Sequence, residues 1–179
     1  MDGTLTGYEN LLIFAKLYDL PGKERQTRIR AALEFMGLLG VADRLVREYS
    51  GGMIRRLEIA QSTLHRPPVL FLDEPTTGLD PIGRNAVWEH LAQLRDNYGT
   101  TILFTTHYME EAESQCDRVA IMHLGKLVAL GTCAELKAAI GGAGRTLDDV
   151  FTYYAGTTLD AGGNYRGVSA ERAVARRLG

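Results

Sequence analysis

The sequence predicts an α/β protein with a mostly parallel sheet, and three observations predict it. Val69 to Leu72 is a short, continuously apolar run with the look of a strand buried on both faces by helices. Thr101 to Thr105 and Arg118 to Met122 repeat that strand-like character. Between and before these runs, apolar residues recur at helical spacing. Strand–helix–strand–helix alternation builds a sheet layered with helices.

Taken in order, the first 66 residues read as helical. Thr6-Gly7-Tyr8-Glu9 has capping-box spacing, in which hydroxyl and carboxylate each satisfy an orphan helix N–H. Leu11, Phe14, Ala15 and Tyr18 then share one face, and Pro21-Gly22 ends the run. A second helix carries Ile29, Leu33 and Met36 to about Gly37. A third opens after Ser50-Gly51-Gly52 and carries Leu57, Ala60 and Leu64 towards Pro67-Pro68. After the strand at Val69, Asp80-Pro81 supplies an N-cap acceptor and a proline at the first helical position. That helix holds Val87, Leu91 and Leu94 and stops before Gly99. The strand Thr101 to Thr105, a short helix from Tyr108 to Gln115 and the strand Arg118 to Met122 follow. Gly125 turns the chain into Lys126 to Leu130. Thr132-Cys133-Ala134-Glu135 is a second capping box, opening a helix to about Ile140. Thr146 to Tyr154 reads as a short amphipathic helix with Leu147, Val150, Phe151 and Tyr154 inward, and residues 156–179 as a solvated tail. The boundaries expected are a helical portion 1–66, a core 67–140 and an extension 141–179.

Composition narrows the function classes. With 20 Lys+Arg against 22 Asp+Glu in 179 residues the net charge is −2, so there is no basic footprint and nucleic acid is not an expected partner. The longest apolar runs fall far short of the ~18 residues of a membrane span, and no secretory leader is visible. Cys116 and Cys133 make no disulfide framework and no zinc spacing. They read as reduced structural thiols, and Trp88 as a packing residue. A cytosolic protein is the expectation.

Asp73 and Glu74 end an apolar strand, the position at which α/β sheets present ligands. Adjacent acids there suit metal-assisted phosphoryl transfer, one serving Mg²⁺ and the next orienting and deprotonating a water. Pro75 lacks an N–H donor and drives the chain out of the sheet directly afterwards. The same three residues also suit a simple strand-ending turn. Ser50-Gly51-Gly52 opens a helix whose free N–H groups and dipole favour phosphate, and it suits a plain serine N-cap as well. His107 follows the strand ending at Thr105, at the same sheet edge, where a histidine can equally be a satisfied polar residue.

In combination these segments closely resemble the ATP-binding cassette (ABC) ATPases, the nucleotide-binding subunits of ABC transporters. Tyr49-Ser50-Gly51-Gly52-Met53 resembles their signature, Leu70-Phe71-Leu72-Asp73-Glu74 their Walker B strand, Thr77-Gly78-Leu79-Asp80 their D-loop, and Thr105-Thr106-His107 their switch histidine. The wording around these motifs resembles drug-resistance exporter ATPases of the daunorubicin type, from about Leu5 to Gly156. The resemblance implies a P-loop NTPase-like (RecA-like) fold with an α-helical subdomain, and ATP and Mg²⁺ as cofactors. It gives Asp73 to Mg²⁺, Glu74 to the hydrolytic water and His107 to the γ-phosphate. Ser50, Gly51 and Gly52 cap ATP bound on the opposite subunit, and Asp80 couples two sites across a head-to-tail dimer. It further implies a separate membrane-spanning permease as partner, met by the region 1–48, and a place on the cytoplasmic face of the membrane.

One element of that family is missing from these residues. A P-loop needs Gly-x-x-x-x-Gly-Lys-[Ser/Thr], yet the only Gly-Lys pairs are Gly22-Lys23 and Gly125-Lys126. Leu17 and Ala120 stand where the first glycine belongs. The expectation is an ABC subunit lacking its N-terminal part, nearly inactive alone, with parallel strands left uncovered at an edge. The alternative is a non-catalytic fragment that lends its signature to a complete partner. Asp2-Gly3-Thr4-Leu5-Thr6 imitates a haloacid-dehalogenase motif, but the nucleophilic aspartate and its strand are absent.

Overall fold

A computed structural model describes residues 1–161. The chain divides into two compact units between His107 and Tyr108. The first unit contains α1 (Gly7–Leu17), α2 (Gly22–Phe35), two short 3-10 turns (Leu39–Val41 and Val46–Glu48), α3 (Gly51–Thr63), β1 (Val69–Asp73), α4 (Pro81–Tyr98) and β2 (Thr101–Thr105). Each start has a local cause. Thr6 and Glu9 form the expected capping box on α1. The Ser50 hydroxyl accepts from the Met53 amide to open α3, and the Asp80 carboxylate accepts from the Gly83 amide ahead of Pro81 to open α4. Gly99, left-handed at φ 67°, closes α4 as a glycine best can.

These helices and one face of the sheet share a core. Leu11, Ile29, Leu33, Met36, Leu38, Leu57 and Val87 are fully buried, with Leu70 beneath them and Leu72, Ile102 and Phe104 packed against the cluster. Trp88 is also buried, tilted against Phe104 at 4.7 Å between ring centres; it packs, as its sequence context suggests. β1 and β2 pair in parallel, with Phe71 opposite Leu103 and Asp73 opposite Thr105. The expectation of a strand covered on both faces fails here. Val69, Phe71 and Leu103 are 48%, 71% and 59% exposed, because within this unit the helices layer only one side of the pair. An apolar run reports what a strand is made of; whatever lies over it comes from elsewhere in the fold.

The second unit contains α5 (Met109–Gln115), β3 (Val119–His123), β4 (Lys126–Gly131), α6 (Cys133–Ala139) and α7 (Leu147–Ala161). The fold class is α/β as expected, but among the described residues the strands form two separate pairs, and β3–β4 is antiparallel. Leu124 and Gly125, both at positive φ, make the two-residue turn whose twist suits a tight hairpin. Thr132 and Glu135 form the second capping box. Helix α7 buries Leu147 and Val150 as predicted and continues past Tyr154 to Ala161. Most of the expected tail, residues 162–179, lies outside the described residues. Cys116 and Cys133 are free thiols packed at a small core with Ala112, Val119, Ile121 and Leu136. Burial pushes the Cys116 thiol up to about 11 and raises Cys133, which suits inert, structural thiols. No helix among the described residues is long and apolar enough to cross a membrane.

One side chain in the first unit makes stability depend on pH. His90 on α4 is part-buried, bonded to the Thr63 hydroxyl at 2.8 Å and tilted against Phe35 at 5.2 Å. Desolvation lowers its pKa from the usual 6.5 to about 4. The unfolded chain therefore takes up a proton here that the folded chain refuses. Stability from this group is complete above about pH 6.5 and is lost as pH falls towards 4. Allowing for partial solvent access, we expect a loss of roughly 2 kcal/mol across that window. Urea unfolding from pH 7 to 4 measures it, and the pH slope should shrink in His90→Gln.

Candidate functional site

The parallel register brings the expected acids and histidine to one sheet edge. Because Asp73 pairs with Thr105, the residues that follow leave the two strands side by side. The Glu74 amide donates to the Thr105 carbonyl at 3.1 Å and to its hydroxyl at 3.0 Å. The Thr105 hydroxyl in turn donates to Asp73 Oδ1. His107 Nδ1 lies 3.1 Å from Glu74 Oε1, with both side chains about half exposed. A carboxylate only accepts, so the bond places a proton on Nδ1. The other carboxylate oxygen, Oε2, accepts from the Thr77 hydroxyl at 3.1 Å. Glu74 is thus oriented through both of its oxygens while remaining open to solvent.

The backbone at this point is left-handed, with Glu74 at φ 44°. A non-glycine residue there stores on the order of 1–3 kcal/mol of strain. The turn continues through buried Thr76 and Gly78 (φ 78°) to Leu79, and delivers Asp80 to the start of α4. Asp80 Oδ1 accepts from the Gly83 amide at 2.7 Å. Asp80→Ala should therefore cost about 1 kcal/mol, read as a lower urea midpoint, while Asp80→Asn should stay close to wild type.

Ser50, Gly51 and Gly52 stand at the opening of α3. Met53 N donates to Ser50 Oγ at 3.3 Å, which leaves the hydroxyl proton available to a ligand. The amides of Gly51 and Gly52 belong to the first helical turn, whose N–H groups have no intrahelical acceptor. A Cβ on Gly52 would meet Leu79 Cδ2 at 3.4 Å, so the helix start lies against the loop that follows Glu74. Ahead of Ser50, the Tyr49 hydroxyl donates to the Val41 carbonyl at 2.7 Å. A Cβ on Gly7 would come within 2.3 Å of that hydroxyl oxygen.

Two contributors escaped the sequence reading as individual residues. Thr77 lies three residues after Glu74, a spacing that could have flagged its bond. Arg55 donates from Nε to the Pro75 carbonyl at 3.2 Å and from Nη2 to the Glu74 carbonyl at 3.0 Å and to the Asp73 carbonyl. Its partners are backbone atoms, which leave no mark in residue types. Among the described residues no group of three or more His, Cys, Asp or Glu side chains is placed to hold a metal by itself.

Comparison with known proteins finds relatives along most of the chain. Residues 1–77 match the family model described as ABC transporter. The daunorubicin resistance ATP-binding protein DrrA3 of Streptomyces coeruleorubidus is 46% identical over 79% of this chain and 45% of its own length. The linearmycin resistance ATP-binding protein LnrL of Bacillus subtilis is 42% identical, over 78% and 44%. The Nod factor export ATP-binding protein I of Ralstonia nicotianae is 46% identical, over 76% and 42%. A solved structure of an ATP-binding subunit of an ABC transporter superposes with a TM-score of 0.79 at 29% identity, over 86% of this chain and 64% of that one. These matches define a class, the ATP-binding subunits of ABC transporters. This chain is similar to that class over 76–79% of its residues. It spans less than half the length of the curated relatives it matches.

Proposed function

We propose that this chain supplies the hydrolytic side of an ABC ATPase that drives export of a drug or other lipophile. The observation that carries the reading is the Glu74–His107 pair at the end of paired parallel strands, beside an Asp73 fixed by Thr105. The direction and cargo are suggested by the resistance and export names of the relatives. A second ABC ATPase subunit, paired head to tail, and a separate membrane-spanning permease are the partners proposed, and the cytoplasmic face of the membrane is the proposed site of work.

The residues present fit Mg²⁺ and ATP on one side. One fixed carboxylate without a full protein ligand set suits Mg²⁺, which keeps waters and draws on substrate phosphates. The other side, a P-loop to cradle the phosphates, is not encoded in these 179 residues. Bound Mg²⁺·ATP would supply the scissile phosphoanhydride and a divalent charge to offset its oxygens. Asp73 would hold the cation's water shell through the oxygen not engaged by Thr105. Glu74 keeps lone pairs beyond those given to His107 and Thr77, enough to orient an attacking water and accept its proton. His107, with Nδ1–H committed to Glu74, can donate from Nε2 to a phosphate oxygen as the imidazolium. Ser50 Oγ–H and the Gly51 and Gly52 amides are assigned to the γ-phosphate of ATP on the opposite subunit. Asp80 would couple the two sites, a role separable from capping because Asp80→Asn keeps the cap.

The experiment joins this chain behind a segment that carries a P-loop, Gly-x-x-x-x-Gly-Lys-[Ser/Thr], and measures phosphate release. Turnover is expected in the joined protein and background release from the 179-residue chain alone. A joined protein that binds ATP but whose turnover ignores Glu74 and His107 would refute the hydrolytic role. The intact opening of α3 favours a second reading, in which the chain lends its signature to a complete subunit. Mixing it with a subunit whose own signature is disabled separates the two: restored turnover that Ser50→Arg abolishes, with no dependence on Glu74, selects the second.

A further inference from the structure

We propose that Arg55 is a positioning residue that ties α3 to the Asp73-Glu74-Pro75 turn and thereby holds Glu74 in its bond with His107. The inference rests on the hydrolytic reading of Glu74 and His107 and extends it to the residue that sets their geometry. Where β1 ends, the left-handed Glu74 redirects the chain and Pro75 offers no N–H. Three successive carbonyls, of Asp73, Glu74 and Pro75, then receive one guanidinium: Nε serves Pro75 at 3.2 Å and Nη2 serves Glu74 at 3.0 Å as well as Asp73. Nη1 lies 3.4 Å from Glu58 Oε2, one turn along the same helix, which steadies the plane of the fork. Only arginine presents donors in this fixed array; a lysine ammonium acts as a single point of charge.

Arg55 also lies on the helix that Ser50, Gly51 and Gly52 open, and Gly52 abuts Leu79 at the far end of the same turn. The stretch from Asp73 to Leu79 is therefore gripped by α3 at both ends. A phosphate seated on Ser50 and Gly52 pulls on a helix already bonded to the backbone of Glu74. The signature of one ATP site is in this way connected within one chain to the glutamate that serves the other.

The test is ¹⁵N NMR of the His107 imidazole in the full chain at about pH 8, where a free histidine ring is neutral. The wild type should carry its ring proton on Nδ1, reporting the bond to Glu74. Arg55→Ala should move that proton to Nε2, and Arg55→Lys should give a mixture of the two forms. Leu94→Ala, a destabilising change in the buried face of α4, should leave the Nδ1 signature in place, as a merely structural effect would not. If both Arg55 variants retain the wild-type signature, the positioning role is wrong while the site reading stands. If Arg55→Ala does not fold, Arg55→Lys decides by the same criterion. A wild type with its proton on Nε2 would overturn both the role of Arg55 and the geometry of the pair.

Discussion

Glu74→Gln in the chain joined to a P-loop segment is expected to lower ATP turnover about 10²–10⁴-fold, the span attributed to a positioned general base. Nucleotide affinity should change little. Glutamine keeps the shape of the side chain, still offers a carbonyl oxygen to His107 Nδ1–H and can still bond the Thr77 hydroxyl. The bonds that orient residue 74 therefore have replacements, and what disappears is the negative charge proposed to accept a proton from water. A fall in phosphate release with unchanged binding of a fluorescent ATP analogue is the result that assigns the base. Equal loss of binding and turnover would instead mark Glu74 as a ligand-holding group.

The largest stability effect in the first unit is expected at Leu57. It is fully buried on α3, the helix that packs on α1, α2 and α4. Leu57→Ala removes three carbons from a place bounded on several sides by other elements, so little collapse can fill the space. A loss of about 3–5 kcal/mol follows from transfer and cavity costs together, set against a total of roughly 5–15 kcal/mol for a typical domain. Urea unfolding should show a much lower midpoint at unchanged slope. Leu17→Ala is the control: Leu17 is 70% exposed at the end of α1, and its loss should stay within about 0.5 kcal/mol.

How much of this was legible in the sequence depended on the range of each interaction. The capping boxes at Thr6-Glu9 and Thr132-Glu135, and the caps at Ser50 and Asp80, involve residues within three positions, so the letters alone give both partners. The meeting of Glu74 and His107 needed one longer inference, that two strands ending near Asp73 and Thr105 lie in parallel register. The bonds of Arg55 were invisible because carbonyls of any residue would serve. The exposure of Phe71 and Leu103 was invisible for another reason: alternation and apolarity describe a strand, and neither says how many layers the rest of the chain provides. The antiparallel β3–β4 pair sits between these cases. Its turn at Gly125 could be read, and its separation from β1–β2 could not.

Gly7 gives a last consequence. The absence of a side chain there is what lets the Tyr49 ring occupy its berth and reach Val41. Even Gly7→Ala would place a carbon 2.3 Å from the hydroxyl oxygen of that phenol, so the buried Tyr49 has to shift, and Ser50 is the next residue along the chain. A substitution at the far N-terminal helix would then misplace the serine that opens α3 without touching it. On the proposed reading, a variant of this kind would keep Asp73, Glu74 and His107 in order yet present a displaced Ser50 to the second subunit, a defect easily mistaken for a lesion in the partner.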